Sequence, residues 1–455
     1  MSAGSSAFSS DDTIVAIATA PGRGAIGIVR LSGPQALRVA MDVLERSAPL
    51  EPRYATFTRT RACQDWPGDE VVATYFKAPR SYTGEDIVEI SGHGSPVAMR
   101  AILADACRAG ARLARPGEFT LRAYLNGKRD LVQAEAVADL VAAVTPLQAR
   151  VAFDQLQGTL TSRIAAVDQS LFALIARLEA SLDFPDEGYH FVDHAAAAAE
   201  VDAVLRDVDR LLADGRRGRM IREGAQVVVS GKANVGKSFI FNRLQGSDRA
   251  IVTEIAGTTR DLLTETVDIG GLAVLLVDTA GLREPDDQVE AEGVRRAARA
   301  REVADLVLLV LDCSRPLEEE DLRLLEDRGS ARLVVGNKCD LPRSWEELPS
   351  GEPLIMASAK TGYGLDEVRV AITRRLAGEG AERDTVAVSN ARHVALIDEA
   401  RVRLRSAHAA LRQHTPEEFV LVDLQAARAL FDEVVGARTS EDVLRHVFER
   451  FCIGK

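Results

Sequence analysis

The sequence predicts a multidomain protein of mixed α+β and α/β class: an N-terminal α+β module, a helical bundle, and an α/β unit inserted into that bundle. Three observations carry the expectation. The chain has 455 residues, which at roughly 150 residues per domain is about three domains. Short apolar runs bounded by turn residues fill its first quarter and then give way to helical spacing. Farther on, apolar β-branched runs alternate with helical segments over a long central block.

From Thr13 to Gly117 the runs TIVAIAT, AIGIVRL, EVVATYF and IVEISGHG are separated by PGRG, SGP and APRSYTGED. Apolar alternation bounded by Gly, Pro, Ser and Asp marks strands, and SPVAMRAILADACRAG between them has helical spacing. After Arg115-Pro116-Gly117 the texture changes. FTLRAYLNGKRDLVQAEAVADLVAAV and much of the stretch to Met220 carry Ala, Leu, Arg and Glu at helical intervals. An acidic loop, DFPDEGYHFVDH from Asp183 to His194, interrupts them. From Ala225 to Leu376, QVVVSG, AVLLVDTAG, ADLVLLVLDCS, ARLVVGNKCD and PLIMASAK alternate with helical segments. That pattern argues for a mostly parallel sheet with helices on both faces. Inside it, LLTETVDIG-GLAVLLVD pivots on Gly270-Gly271 as a β-hairpin. Helical texture returns from Asn390 to Phe451. The expected division is 1–126 for the N-terminal domain, 127–220 and 381–455 for the two helical parts, and 221–380 for the inserted unit.

Composition narrows the functional classes. With 46% hydrophobic and 27% charged residues the chain is ordinary globular protein, which argues against disorder and a membrane-embedded class. A formal net charge of −12 excludes a uniformly basic nucleic-acid coat, so an RNA partner must meet a local patch. Cys63, Cys107, Cys313, Cys339 and Cys452 form no CxxC pair, which argues against a disulfide framework and a structural zinc. No basic residue precedes Arg23, as a secretory signal would need, and no apolar run approaches membrane-spanning length. The last four residues, from Cys452, superficially fit a prenylation box, but Lys455 is an atypical terminus for one. The expectation is a cytoplasmic protein with no membrane partner.

Gly231-Lys232-Ala233-Asn234-Val235-Gly236-Lys237-Ser238 fits GxxxxGK[ST] between an apolar strand and the helical FIFNRL. Its glycines let backbone N–H groups approach phosphate oxygens, Lys237 brings a point charge, and Ser238 offers a hard oxygen to Mg²⁺. Three further segments follow in the order of a guanine-nucleotide domain. Asp278-Thr279-Ala280-Gly281 ends a strand beside the expected metal shell and γ-phosphate. Asn337-Lys338-Cys339-Asp340 ends another, where a carboxylate accepts both hydrogens of the guanine N1/N2 edge. Ser358-Ala359-Lys360 braces the base from the other side. Together these predict a GTPase.

Catalysis needs a further component. Leu282 follows the Asp278-Thr279-Ala280-Gly281 segment, where Ras-type enzymes carry a water-orienting glutamine, and leucine cannot orient water. The candidates are Asn234, the segment Thr253-Glu254-Ile255-Ala256-Gly257-Thr258-Thr259-Arg260-Asp261, and the carboxylates of REPDDQVEAE. Thr259 is the natural second Mg²⁺ ligand, its hydroxyl being hard and neutral like that of Ser238. The charge run from Arg283 to Glu292 also fits a plain solvated loop.

GxxNVGKS, EIAGTTRD, DTAGLRE, NKCD and SAK, with PGRGAIGIVR, SYTGEDIVEISGHG, RPGEFTLRAYLNGKRDLVQAEAVADL, the DFPDE loop and FCIGK, resemble the MnmE (TrmE) tRNA-modification GTPases. The resemblance spans essentially the whole chain. It implies a homodimer formed through the N-terminal domain, and a helical domain holding an inserted Ras-like domain. It also implies an FAD-dependent MnmG-type partner, joined in a heterotetramer or larger complex. The implied reaction builds an aminomethyl or carboxymethylaminomethyl group on C5 of the tRNA wobble uridine. A tetrahydrofolate derivative, in the 5,10-methylene or 5-formyl form, would donate the carbon, with K⁺ required for GTP hydrolysis.

Carried over by position, the resemblance makes Asn234 a potassium ligand, with Thr253, Ile255 and Thr258 completing that site. Glu290 matches the glutamate of the water-positioning network, and Cys452 a terminal cysteine implicated in modification. Arg30, Glu89, Lys128 and Lys455 match folate contacts. GTP-binding positions extend through Val235, Gly236, Phe239, Glu254, Ala256 and Gly257. Strand alternation independently sets Arg30 on the face of Ile26 and Ile28, and Glu89 on that of Ile87. The alternatives stay open: such charges also snorkel to solvent, and Cys452 also fits an ordinary thiol. His93 reads as a turn residue. Ala233 replaces the usual proline and Phe239 a small hydroxyl residue, so Phe239 must find packing at a helix start. The GTPase motifs alone also fit a regulatory switch acting in assembly or signalling, and the N-terminal signatures a stand-alone folate enzyme.

Overall fold

The computed structural model describes residues 11–62, 66–183, 193–213, 215–246, 263–278, 303–327, 331–345, 347–349, 351–378 and 388–455. The chain separates into two compact units, one of residues 1–138, 155–172 and 424–455, the other of residues 139–154 and 173–423.

In the first unit a sheet is built from β1 (Ile14–Ile17), β2 (Ile26–Ser32), β3 (Ala55–Arg59), β4 (Glu70–Phe76), β5 (Ile87–His93) and β6 (Arg112–Leu113). Their order is β3-β4-β5-β2-β1-β6, and every pairing is antiparallel except β1 with β6. Alternation in β2 buries Val29 and Leu31 and leaves Ile26 exposed, so one face of the sheet forms the core. Helices α1 (Ala36–Val43) and α2 (Pro96–Arg108) cover that face: Val39 and Ile102 join Val29, Leu31, Val88 and Ile90 in one cluster. α2 begins where the Ser95 side chain accepts the Val97 N–H and Pro96 supplies a preset φ. β3 and α1 escape the sequence patterning. β3 is an edge strand whose alternation turns Phe57 outward, so its burial signal is weak.

The helical texture after Gly117 is not one helix. α3 (Glu118–Leu125) stops at Asn126-Gly127, where Gly127 takes φ 64°, and α4 (Leu131–Ala142) restarts after Asp130. α5 (Pro146–Leu156), α6 (Thr159–Asp183), α7 (His194–Ala213) and α8 (Gly215–Glu223) follow. Asp183, the first residue of the DFPDE loop, ends α6, and residues 184–187 lie outside the described residues.

The second unit holds the α/β fold. Its strands are β7 (Ala225–Ser230), β8 (Leu263–Ile269), β9 (Leu272–Asp278), β10 (Leu306–Asp312), β11 (Arg332–Asn337) and β12 (Leu354–Met356). They lie in the order β12-β11-β10-β7-β9-β8. All neighbours are parallel except the β8–β9 hairpin, which turns at Gly270-Gly271 as its sequence predicts. Leu306, Leu308 and Val310 belong to one core cluster, Leu309 and Leu311 to another. Both faces of β10 are therefore buried, which is why its sequence is a continuous apolar run. α9 (Lys237–Gly246), α10 (Glu319–Glu326) and α11 (Leu365–Ala377) alternate with these strands. α12 (Ala391–Arg412), α13 (Glu417–Val435) and α14 (Glu441–Phe448) form the C-terminal helices.

Candidate functional site

The loop between β7 and α9 is shaped by three residues with positive φ: Gly231 at 143°, Asn234 at 62° and Gly236 at 99°. A Cβ on Gly236 would overlap the Asn337 amide nitrogen, so this position tolerates only glycine. Lys237 Nζ donates to the carbonyls of Gly231 and Lys232 at 2.8 and 2.7 Å, which lays its ammonium across the loop. Ser238 Oγ donates to Asp278 Oδ2 at 2.7 Å. This hydroxyl and carboxylate are hard oxygen donors on adjacent elements, a set that fits Mg²⁺.

Asn337 ties the site together. It is 2% exposed, its Nδ2 donates to the Val235 carbonyl at 2.7 Å, and its Oδ1 accepts the Ala359 N–H at 3.0 Å. One buried side chain thus joins the phosphate loop to the Ser358-Ala359-Lys360 loop. Ser358 Oγ donates to Asp340 Oδ1 at 2.7 Å, which fixes that carboxylate at the rim. Lys338 donates to the Asn234 carbonyl at 2.8 Å and to Asp312 Oδ2 at 2.6 Å. The carbonyl contact secures the left-handed backbone that presents Asn234. Burial pushes the Asp312 carboxyl up, but Lys338 and Ser314 outweigh it and hold it below the usual carboxylate range. Lys232 pairs with Glu318 at 3.0 Å and Asp321 at 2.9 Å, anchoring the loop to the start of α10.

A second constellation lies on the N-terminal sheet. Arg30 and Glu89 sit directly opposite in the β2–β5 pairing, with Arg30 Nε and Nη2 each 2.8 Å from Glu89 Oε1. The Arg30 guanidinium lies 5.6 Å from the Tyr82 ring centre and 5.7 Å from that of Phe119. Arg129 stacks on the same Tyr82 at 5.3 Å, and the Tyr82 hydroxyl bonds Thr120 Oγ1 at 2.8 Å. The C-terminal FCIGK segment closes this corner. Arg30 Nη1 donates to the Gly454 carbonyl at 3.3 Å, and the Cys452 carbonyl accepts from Gly117 and Lys455 at 3.4 and 3.3 Å. Gly454 takes φ 100° against the Ile17 carbonyl, where a Cβ would overlap it. Cys452 is exposed. Lys128, also exposed, lays its stem near Gly84.

Two family models match this chain. One described as the MnmE helical domain covers residues 131–452, and one described as the GTP-binding protein TrmE N-terminus covers 13–128. The tRNA modification GTPase MnmE of Koribacter versatilis (strain Ellin345) is 44% identical over 451 residues, covering 98% of this chain and 99% of that protein. The chain belongs to the MnmE family of tRNA modification GTPases. The MnmE of Aquifex aeolicus (strain VF5) is 42% identical over 447 residues, covering 98% of this chain and 100% of its own. Among solved structures, the G domain of the T. maritima FeoB iron transporter aligns with 33% of this chain and 98% of itself, at 24% identity and a TM-score of 0.26.

Of the positions that the MnmE resemblance singles out, Asn234, Val235, Gly236, Lys237, Ser238, Asp278, Asn337, Lys338, Asp340, Ser358 and Ala359 meet around one loop. Lys360 follows them, and its carbonyl accepts from Arg243 at 2.9 Å. Phe239 does not pack as its bulk would require: it stands 70% exposed at the start of α9. Thr253, Glu254, Ile255, Ala256, Gly257, Thr258, Thr259, Thr279, Ala280, Gly281 and Glu290 lie outside the described residues.

Several contributors have no role assigned from the sequence. Asp312 and Arg243 support the nucleotide loops, and Tyr82, Phe119 and Arg129 frame Arg30. His93 is not a turn residue: it ends β5, and its Nδ1 lies 2.6 Å from Oδ1 of the buried Asp69. That carboxylate raises the imidazole above its ordinary value. Its partner lies 24 positions away, so only the strand pairing brings the two together.

A buried charge cluster was equally hidden. Arg122 is 2% exposed and faces Asp12, Glu85 and Glu118, while Arg112 meets Asp12 and Glu118. Burial pushes the Glu118 carboxyl up, and Arg112, the Arg115 amide and Arg122 outweigh it, leaving it below its ordinary value. The i,i+4 spacing of Glu118 and Arg122 is the one trace of this cluster in the sequence.

Proposed function

We propose that this GTPase couples GTP hydrolysis to the building of an aminomethyl or carboxymethylaminomethyl group on C5 of the tRNA wobble uridine, together with an FAD-dependent MnmG-type partner. The observation that carries the reading is the convergence on Asn337 of the phosphate loop and the base-bracing loop, beside the Ser238 and Asp278 oxygens. In it, Lys237 holds the outer phosphates, Asp340 reads the guanine edge, and Ser238 with Thr259 holds Mg²⁺.

Leu282 leaves the site without a water-orienting amide, and we assign that work to Glu290. Asn234, Thr253, Ile255 and Thr258 would hold K⁺, with the left-handed Asn234 backbone bringing its amide to the phosphates. When bound, the ion supplies positive charge where other GTPases use an arginine finger. GTP turnover in KCl is expected to exceed that in NaCl by about tenfold or more, since one charge-stabilising contact is commonly worth that much. Equal rates in the two salts would remove the potassium role.

In residues 1–126, Arg30, Glu89 and Lys128, with Lys455 returned by the C-terminus, are read as the tetrahydrofolate contacts. Arg30 within cation–π distance of two aromatic rings supports this, because it offers a planar cation beside apolar groups. When bound, the folate supplies the one-carbon unit, and Cys452 stands near enough along the chain to take part. A homodimer through the same domain agrees with the open face of its sheet. There Phe57 and Ile26 are 69% and 66% exposed, and Phe57 pairs across from Val72. No described helix is long and apolar enough to cross a membrane, and we place the protein in the cytoplasm.

Mass spectrometry of tRNA nucleosides from cells with and without the protein tests the whole reading. Loss of the C5-modified uridines on deletion is the expected result. Unchanged nucleosides with ribosomal particles missing would instead mark an assembly switch.

A further inference from the structure

The β8–β9 hairpin has one end in the nucleotide site and the other on a helix that precedes the α/β unit in sequence. β9 ends at Asp278, which accepts the Ser238 hydroxyl. The two strands pair in register from Leu263↔Asp278 to Ile269↔Leu272, a ribbon roughly 20 Å long at about 3.4 Å per residue. Val267, Ile269, Leu272, Val274 and Leu276 are buried along it, so it is packed into the core as a stiff body.

At the far end, Gly270 and Gly271 take φ 61° and 88°, the two positive values of a tight type I′ turn. This tip is seated on the first turn of α5. Thr145 Oγ1 donates to the Gly271 carbonyl at 2.8 Å, and a Cβ on Gly271 would come within 3.2 Å of Leu147. The same Thr145 oxygen accepts the Gln148 N–H at 3.2 Å and so caps α5. A hydroxyl has one proton to give. Helix cap and hairpin seat therefore depend on a single side-chain orientation, in a residue 3% exposed.

α5 is also bound into the α/β core. Val151 belongs to the same cluster as Val274 and Leu276, and Gln148 Nε2 donates to the Arg222 carbonyl at 3.2 Å. Beside the seat lies a small open pocket, lined in part by Gln148, Val151, Ile221, Arg222 and Ser389. The joint has this pocket on one side and a rigid lever on the other.

We propose that Thr145 is a positioning residue through which the nucleotide state at Ser238 and Asp278 sets the conformation of α5. A ligand moves a distant element only through contacts that differ between two states. Here those contacts are one hydroxyl bond and one van der Waals seat, at the end of a stiff strand pair whose other end holds an oxygen beside the phosphates. The proposal rests on the assignment of Ser238 and Asp278 to the nucleotide site.

Hydrogen exchange read by mass spectrometry on the full-length protein tests it, comparing GDP with a non-hydrolysable GTP analogue. Amides of residues 147–152 are expected to exchange at rates differing by about fivefold or more between the two states, the lower end of usual coupling between sites. Thr145→Val should abolish that difference, Thr145→Ser should restore it, and Leu147→Ala, which spares the cap, should diminish it. Nucleotide affinity is titrated in the same samples, so a missing nucleotide site and a missing coupling give different results. The proposal is overturned if the wild type shows no difference, or if Thr145→Val merely speeds exchange equally in both states. It is also overturned if Thr145→Val and Leu147→Ala both keep the full difference.

Discussion

Arg122→Leu is expected to cost about 3–5 kcal/mol of stability in the N-terminal unit, the usual penalty for removing one partner of a buried ion pair. The size follows from burial and charge. Arg122 is 2% exposed, and Glu118 and Glu85, at 9% and 12%, would keep their negative charges with less to offset them. Thr120 and Phe119 on the same helix would shift with Arg122, so the Tyr82 and Arg30 stack should loosen too. The chain holds two compact units, and multidomain chains commonly depart from two-state unfolding, so a local reporter is needed. Trp66 packs against the N-terminal core, and its fluorescence in a Trp345→Phe background reports the urea midpoint of that unit.

The sign of the pH dependence follows from Glu118 and Asp12, whose carboxyls are held below their ordinary values in the folded chain. Their stabilising contribution is complete above the ordinary carboxylate range and is lost as pH falls through the depressed values. The gap between wild type and Arg122→Leu should therefore narrow in acid. An unchanged midpoint near neutral pH would mean that the cluster contributes nothing.

Asp340→Asn should lower GTP affinity by about 10²–10⁴, since two hydrogen bonds to a charged acceptor are worth roughly 1.5–3 kcal/mol each. A carboxylate can accept both N–H groups of the guanine edge, as proposed for Asp340, whereas an amide presents one acceptor and one donor. That pattern suits a base with an N–H beside a carbonyl, so xanthosine triphosphate should gain as GTP loses. Ser358 can still donate to the remaining carbonyl oxygen, which keeps the loop in place. A titration with fluorescent nucleotides measures both affinities. GTP affinity within about threefold of wild type would take guanine recognition away from Asp340.

Much of the nucleotide site is legible in the sequence because its chemistry is local. Gly231 to Ser238 is one continuous segment whose glycines, lysine and serine each answer a requirement of phosphate binding. The same holds for Gly270-Gly271, where a two-residue turn permits only positive φ. The supporting contacts are not local. Asn337 reaches Val235 across 102 positions and Arg30 reaches Gly454 across 424. Alternation sets Arg30 and Glu89 each on one face of its own strand, but only the register of β2 against β5 makes them neighbours. His93 shows the same limit, since nothing within its own strand announces Asp69. Phe239 shows the reverse: its sequence demands packing, and the fold leaves it in solvent.

By itself the sequence determined the succession of an α+β module, helices and an inserted α/β unit, together with a phosphate loop and a guanine motif. Each of these depends on residues within one turn or one strand of each other, where backbone geometry leaves few choices. Only the tertiary structure decided which polar groups meet: Arg122 with Glu85, Lys338 with Asp312, Thr145 with Gly271, and Gly454 with Arg30. Such pairings depend on strand register and on long returns of the chain, and a slip of one residue would turn every partner to the opposite face.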